Sequence, residues 1–198
     1  MKDSSGNIWS GGYYNLKEID YSRKNIRHFP GLNGITAIIE KDSTHMWIGT
    51  STGLYLLEKA TGKYTYIQMP VESYYIYSLC QASDGMLYIG TNNAGLLVYD
   101  TTKNTFRHYH RDNCALISNN IYTLLSDGKG NIFLSTEHGL STFYPVEETF
   151  HNWTKEQGLK SDHFNAASGT LREKRQFHFR QYGWSHRIQQ RHDPASRL

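Results

Sequence analysis

Long hydrophobic runs are missing from this sequence. No stretch approaches the roughly 18 consecutive apolar residues that a membrane-crossing helix requires. The opening MKDSSGNIWSGG has no apolar core of the signal-peptide kind. The expectation is a segment that inserts into no membrane and carries no address of its own. Cysteine is nearly absent too. Cys80 lies in an apolar run and Cys114 in a polar one, without metal-ligand spacing, so each reads as a free thiol rather than half of a disulfide. Also missing are a G-x-S-x-G element, a Gly-rich phosphate loop between strand and helix, and any reasoned Cys/His pairing, which removes the common nucleophile and nucleotide-binding classes and leaves no cofactor to expect.

Charge of one sign is missing from most of the chain. The formal net charge is +3, and Arg180, Arg187, Arg191 and Arg197 against Asp193 account for all of it, so residues 1–179 are balanced. A nucleic-acid partner therefore has no basic face to bind, and none is expected.

What the chain has in abundance is Tyr (15 residues) and Gly (17), with 14% aromatic content and only 38% hydrophobic residues. That composition fits a β-rich, well-solvated protein. Internal repetition is the strongest signal. GNIWSGG, THMWIGTSTGLYLL, GMLYIGTNNAGLLVY and GNIFLSTEHGLSTFY share one order: a turn, a short apolar run with an aromatic, small polar residues, Gly, and a second apolar run. The aromatic anchors Trp9, Trp47, Tyr88 and Phe133 follow one another at 38, 41 and 45 residues, near the period of about 40–50 typical of propeller blades. Each repeat resolves into four short strand-like runs: GITAIIE, MWIGT, GLYLLEK and KYTYIQM in the second; IYSLCQA, MLYIGT, GLLVYD and TFRHYH in the third; NIYTLLS, NIFLST, GLSTFY and TFHNWT in the fourth. Thr61-Gly62, Asp84-Gly85 and Asp127-Gly128 punctuate them as turns. The fold class is thus all-β: a partial β-propeller of about four blades of four antiparallel strands, incomplete at both ends. The expected divisions are a partial blade at 3–30, blades at 31–70, 71–112 and 113–157, and a partial last blade at 158–179. Gly49, Gly53, Gly90, Gly95 and Gly139 read as structural glycines.

The blocks DSSGNIW, MWIGTSTGL and LYIGTNNAGLLVYD resemble the two-component-regulator propeller repeat. That repeat builds the periplasmic sensor region of hybrid two-component system histidine kinases of gram-negative, polysaccharide-degrading gut bacteria. EQGLKSDHFNAASGTLREKRQFHF resembles the last blade of such a region, which leads into a small Ig-like domain. The resemblance covers residues 3–179. It implies a ligand-sensing, non-enzymatic propeller that is periplasmic in the intact parent, with the kinase outside this chain and the remaining blades and the Ig-like domain as partners.

Residues 180–198 break the pattern. Removing one nucleotide after the Phe179 codon turns the Trp184–Ser185 junction into an obligatory Gly, five residues after Phe179, as Gly139 lies five after Leu134. The Ile188–Gln189 junction can then give only Phe, Ser or Tyr, where the fourth repeat has Phe143. The reading is a frameshifted, disordered tail; a genuine basic extension is the alternative.

Three patterns could carry chemistry and are read as ordinary structure. His108 and His110 share a strand face but lack further metal ligands. SDGKGN at 126–131 lacks the acidic pattern of a calcium loop. Glu147 and Glu148, as strand neighbours, point to opposite faces. The loop between strands two and three of a blade opens on the same face as the connection from strand four to the next blade. That face collects Tyr13, Tyr14, Tyr74, Tyr75, Asn92, Asn93, Arg111, Asp112, Glu137 and His138. Aromatic platforms beside amide and carboxylate groups suit an oligosaccharide, and these ten residues are the candidate ligand rim. The innermost runs GITAIIE, IYSLCQA and NIYTLLS offer mostly Ile, Leu, Ser, Thr and Cys, which speaks against a propeller enzyme of lyase or lactonase type. A generic protein-interaction propeller is a further alternative.

Overall fold

Four aspartates set the spacing of the chain. Oδ1 of Asp3 accepts the backbone N–H groups of Ser5 (3.0 Å) and Asn7 (2.9 Å); Asp42 accepts those of Thr44 (2.8 Å) and His45 (2.9 Å). Asp84 accepts that of Met86 (2.9 Å), and Asp127 those of Lys129 (2.7 Å) and Asn131 (3.1 Å). A short acidic side chain that satisfies its own following amides turns the backbone and releases it into a new strand. The SDGKGN segment is one of these turns.

The computed structural model describes residues 1–20, 22–72, 75–172, 176–181 and 184–189, with side chains among them as far as Phe164. The first sheet contains β1 (Ile8–Gly11), β2 (Leu16–Asp20) and β3 (Asn25–Phe29). The second contains β4 (Ile35–Glu40), β5 (His45–Thr50), β6 (Gly53–Glu58) and β7 (Tyr64–Ile67). The third contains β8 (Ile76–Gln81), β9 (Leu87–Thr91), β10 (Leu96–Asp100) and β11 (Thr105–Tyr109). The fourth contains β12 (Ile121–Ser126), β13 (Ile132–Thr136), β14 (Gly139–Tyr144) and β15 (Thr149–Trp153). The fifth contains β16 (Phe164–Arg172), β17 (Gln176–Gln181) and β18 (Trp184–Gln189). In every sheet the hydrogen-bonded order follows chain order, and every pairing is antiparallel. This is the all-β, blade-by-blade architecture of a partial propeller.

The sheets stack through apolar layers. Trp9 and Leu16 of the first sheet pack with Met46, Ile48 and Leu57 of the second. Trp47 and Leu54 pack with Leu87, Ile89 and Tyr99 of the third. Tyr88, Leu96 and Val98 pack with Ile132, Leu134 and Phe143 of the fourth. The aromatic anchor of one blade thus meets the second and third strands of the next. Full burial of each such side chain is worth about 1.5–3 kcal/mol, which is why a blade needs a neighbour. Gly90 marks a close approach: a Cβ there would come within 2.8 Å of Cγ2 and 2.9 Å of the carbonyl oxygen of Ile121 in the next innermost strand.

The C-terminal part departs from expectation. Phe164–Arg172 pairs with Gln176–Gln181, and strand structure continues past residue 179. β18 pairs with β17 from Gln176↔Gln189 to Gln181↔Trp184. The expected disordered tail is therefore not what the described part of 180–198 shows; residues 190–198 lie outside the described residues. The physical reason is that an open strand edge presents N–H and C=O groups to any extended chain, whatever its side-chain pattern.

Candidate functional site

The loops between second and third strands are held by one repeated device. Thr50, Thr91 and Thr136 are buried and donate Oγ1–H to the carbonyls of Gly53 (2.9 Å), Gly95 (2.7 Å) and Gly139 (2.9 Å). The same oxygens accept the N–H groups of Thr52 (3.1 Å), Ala94 (3.1 Å) and His138 (3.2 Å). The residue after each Thr then donates its own N–H to the residue preceding the innermost strand. The pairs are Ser51 to Gly34 (2.9 Å), Asn92 to Tyr75 (2.9 Å) and Glu137 to Asn120 (3.3 Å). These bonds tie the two loop classes together at one face of the arc.

Where the innermost strand begins, its pairing slips. The register with the second strand shifts between Ile35 and Ala37, between Ile76 and Ser78, and between Ile121 and Thr123. Each shift leaves one unpaired residue: Thr36, Tyr77 and Tyr122. A bulge of this kind re-aims a side chain, and here it brings tyrosines into a series. Tyr75 and Tyr77 have ring centroids 5.0 Å apart at 53°, and Tyr77 and Tyr122 are 5.2 Å apart at 80°.

Glu137 borders this series, with 43% of its side chain exposed. Its Oε2 accepts Asn120 Nδ2–H at 2.7 Å, and Asn120 Oδ1 in turn accepts Asn93 N–H at 2.8 Å. The ring of His163 reaches the Glu137 carbonyl through Nδ1 at 3.2 Å. Burial, with Tyr75 and the Glu137 carboxylate nearby, holds the Tyr77 hydroxyl above its usual range. Burial, Glu137 and Tyr77 do the same for Tyr122. Both phenols therefore stay neutral and keep an O–H to donate.

Of the ten rim residues, Tyr75, Asn92, Asn93, Glu137 and His138 lie on the segments that form this mouth. Tyr74 lies outside the described residues. Tyr13 and Tyr14 stand on the first blade, 76% and 73% exposed, in an edge-to-face pair at 4.7 Å; the Tyr13 carbonyl accepts the N–H of Gly34. Arg111 and Asp112 belong to the β11–β12 connection. Arg111 N–H is bound by Asn119 Oδ1 at 2.8 Å, and the Asp112 carboxylate lies 3.4 Å from His110 Nδ1. The rim thus divides into an inner mouth and two outlying pairs.

Sequence reasoning passed over Tyr77, Tyr122, Asn120 and His163. The signal was present: I-Y-S at 76–78 and I-Y-T at 121–123 place a Tyr at the same offset in two innermost runs.

The other candidates resolve into structure. His108 Nε2 lies 2.6 Å from the Ala94 carbonyl, and its ring lies 4.8 Å from that of His110, tilted by 43°. Among the described residues no group of three or more His, Cys, Asp or Glu side chains is arranged to hold a metal ion. Glu148 binds Arg107 at 2.6 Å. Cys80 and Cys114 are free thiols, and burial pushes Cys80 up to about 11. No helix among the described residues is long and apolar enough to cross a membrane.

Residues 70–93, from the β7–β8 connection through β9 and into its loop, match the family model described as two component regulator propeller. The match falls on the first two strands of the third sheet. No curated protein matches the chain. Among solved structures, the extracellular domain described as that of the hybrid two component system BT3049 from B. thetaiotaomicron superposes with a TM-score of 0.77 at 22% identity. The match covers 90% of this chain and 25% of that one. The extracellular domain of BT4673 from the same organism gives 0.82 at 20% identity, over 96% of this chain and 29% of that one. Virginiamycin B lyase from Staphylococcus aureus gives 0.75 at 10% identity, over 96% and 68%. The chain thus spans roughly a quarter of the length of the two extracellular domains. At these identities the likeness shows the propeller fold.

Proposed function

We propose that this chain is a run of blades from the extracytoplasmic, periplasmic sensor propeller of a two-component signalling protein, and that its inner mouth recognises an oligosaccharide. The observation that carries the reading is the Tyr75–Tyr77–Tyr122 series beside Glu137. It is built on and next to the segment that matches the regulator repeat. Ring faces offer apolar platforms for sugar C–H surfaces, while the carboxylate, amides and phenols orient hydroxyls. Tyr13, Tyr14, Arg111 and Asp112 would serve as outlying contacts for a longer ligand, with Tyr74 beside Tyr75 in sequence.

The chain itself performs no catalysis in this reading. Signalling needs a ligand site, an output site and a two-state element between them. The kinase, the further blades and the Ig-like domain supply the last two. The fold is shared with a lyase, so fold alone does not separate sensor from enzyme; the regulator-repeat match in the third blade favours the sensor.

NMR titration with a panel of dietary oligosaccharides, run alongside a product assay, tests the proposal. Saturable shifts at Tyr77 and Tyr122 without new products support it. Sugar turnover, or binding that leaves both tyrosines unperturbed, sinks it. For residues 180–198 the proposed origin is a single inserted base; resequencing the locus decides, since an intact gene carrying this tail in frame would contradict it.

A further inference from the structure

The connection from β3 to β4 carries the one Asn-Gly step of the sequence, Asn33–Gly34. Asn33 is exposed, and among the described residues its side-chain amide has no hydrogen-bond partner. The fourth blade offers a direct contrast. Glu137 donates its N–H to Asn120 as Ser51 does to Gly34, which makes Asn119 the counterpart of Asn33. Asn119 Oδ1 is occupied by the Arg111 N–H at 2.8 Å, and the residue that follows it bears a side chain. At Asn33 a free amide precedes a residue with no Cβ to shield its backbone nitrogen.

That nitrogen is also part of the joint between the first two blades. Gly34 donates its N–H to the Tyr13 carbonyl at 2.9 Å, and Ile35 donates to the Gly12 carbonyl at 3.0 Å. The Gly34 carbonyl accepts the Ser51 N–H at 2.9 Å. A backbone nitrogen whose proton is held by a carbonyl is neither free to lose it nor free to turn toward a side chain. Attack on Asn33 therefore requires the joint to open locally.

We propose that Asn33 is a self-modification site, converted to aspartate and isoaspartate at a rate gated by the joint between the first two blades. The Gly34 nitrogen bonds to Cγ of Asn33, the Cγ–Nδ2 bond breaks, and Nδ2 leaves as ammonia with the proton that the Gly34 nitrogen gives up. Water then opens the resulting five-membered imide at either carbonyl, leaving a carboxylate at position 33. No electron is transferred, and one water is consumed for each ammonia released. The isoaspartate product runs the main chain through Cβ and Cγ, one atom longer, so Gly34 no longer meets both the Tyr13 carbonyl and the Ser51 N–H. Modification thus loosens the first blade, with Tyr13 and Tyr14, from the second.

The test incubates the full chain in mildly alkaline buffer, folded and in guanidinium chloride, and follows the gain of about 1 Da by peptide mapping together with an isoaspartate-specific methyl-transfer assay. The folded chain should convert at Asn33 before any other asparagine, yet at least about tenfold more slowly than the unfolded chain. Asn33→Gln should remove the gain from that peptide, because the imide would need a six-membered ring. Amide exchange of the converted chain should quicken at Gly34, Ile35 and Ser51. Equal rates in the folded and unfolded chains overturn the gating. No gain at Asn33 in the folded chain after the unfolded chain has fully converted, or a first gain at another asparagine, overturns the site.

Discussion

The ammonium of Lys59, on the second blade, lies 3.5 Å from Oδ2 of Asp3 on the first. The same Nζ is 2.5 Å from Oε1 of Glu40, whose carboxylate also holds Ser4 through N–H and O–H at 2.7 Å. Asp3 Oδ2 accepts the Trp9 indole N–H at 2.8 Å. One lysine therefore joins a turn of the first blade to the sheet of the second, and the side chains of Lys59 and Asp3 are 11% and 1% exposed. Removing one member of a buried, hydrogen-bonded ion cluster strands the others. Lys59→Ala should lower stability by about 3–5 kcal/mol, read as a fall in the urea midpoint with little change in slope.

The same cluster gives the chain an acid limit. Burial pushes the Asp3 carboxyl up, but the Trp9 hydrogen bond, the Asn7 amide and Lys59 outweigh it and leave it below its ordinary value. For Glu40, burial is likewise outweighed by Lys59 and Ser4. Groups depressed in the folded state contribute stability that is present above their unfolded values, near 4, and lost as pH falls through the folded ones. The melting temperature should therefore be flat from neutrality down to about pH 5 and drop below about pH 4. Lys59→Ala removes much of that depression, so the variant, less stable at neutrality, should show a smaller drop on acidification. A melting temperature that rises on acidification would reverse the sign of this account.

Gly90 and Gly85 separate packing from backbone conformation. At Gly90 the backbone is one any residue adopts, but a Cβ would meet Ile121 at 2.8 Å, so Gly90→Ala should cost about 1–3 kcal/mol by overpacking. At Gly85 there is open space but φ is +78°, so Gly85→Ala should cost about 1 kcal/mol by backbone strain. Thermal denaturation of the two variants reads both values, and only Gly90→Ala should disturb side-chain signals in the next blade.

Thr91 tests the device that builds the mouth. Its hydroxyl donates to Gly95 and accepts from Ala94 while fully buried. Thr91→Val keeps the shape, leaves the Ala94 N–H unpaired and leaves the Gly95 carbonyl only the longer bond from the residue 91 N–H (3.3 Å), at an expected cost of about 1–3 kcal/mol. Faster amide hydrogen exchange should be confined to residues 92–95.

Much of this fold was legible because its signals are local. An Asp that bonds its own following amides, as Asp84 does, or a Thr that bonds a Gly ahead of it, as Thr91 does, announces itself in a few residues and recurs in each blade. The site was harder to read because it depends on pairing. Alternation assigns a face by parity, and the bulges at Thr36, Tyr77 and Tyr122 break parity at the strand starts; only the register with the neighbouring strand reveals that. Tyr13 and Tyr14 looked equivalent to Tyr75 as loop tyrosines, yet the structure pairs them with each other on the first blade, apart from the bulge series. The strand at Trp184–Gln189 was missed for a different reason: backbone pairing at an open edge asks little of the side chains.

Tyr77 is the middle ring of the bulge series, between Tyr75 and Tyr122. Calorimetry of the chain with the tightest-binding oligosaccharide should lose about 1–3 kcal/mol of affinity in Tyr77→Ala, the loss typical of an aromatic stacking platform, and clearly less in Tyr13→Ala. Unchanged affinity in Tyr77→Ala, or a heat signal that grows with time as sugar is consumed, would contradict a sensor mouth built on the bulge tyrosines.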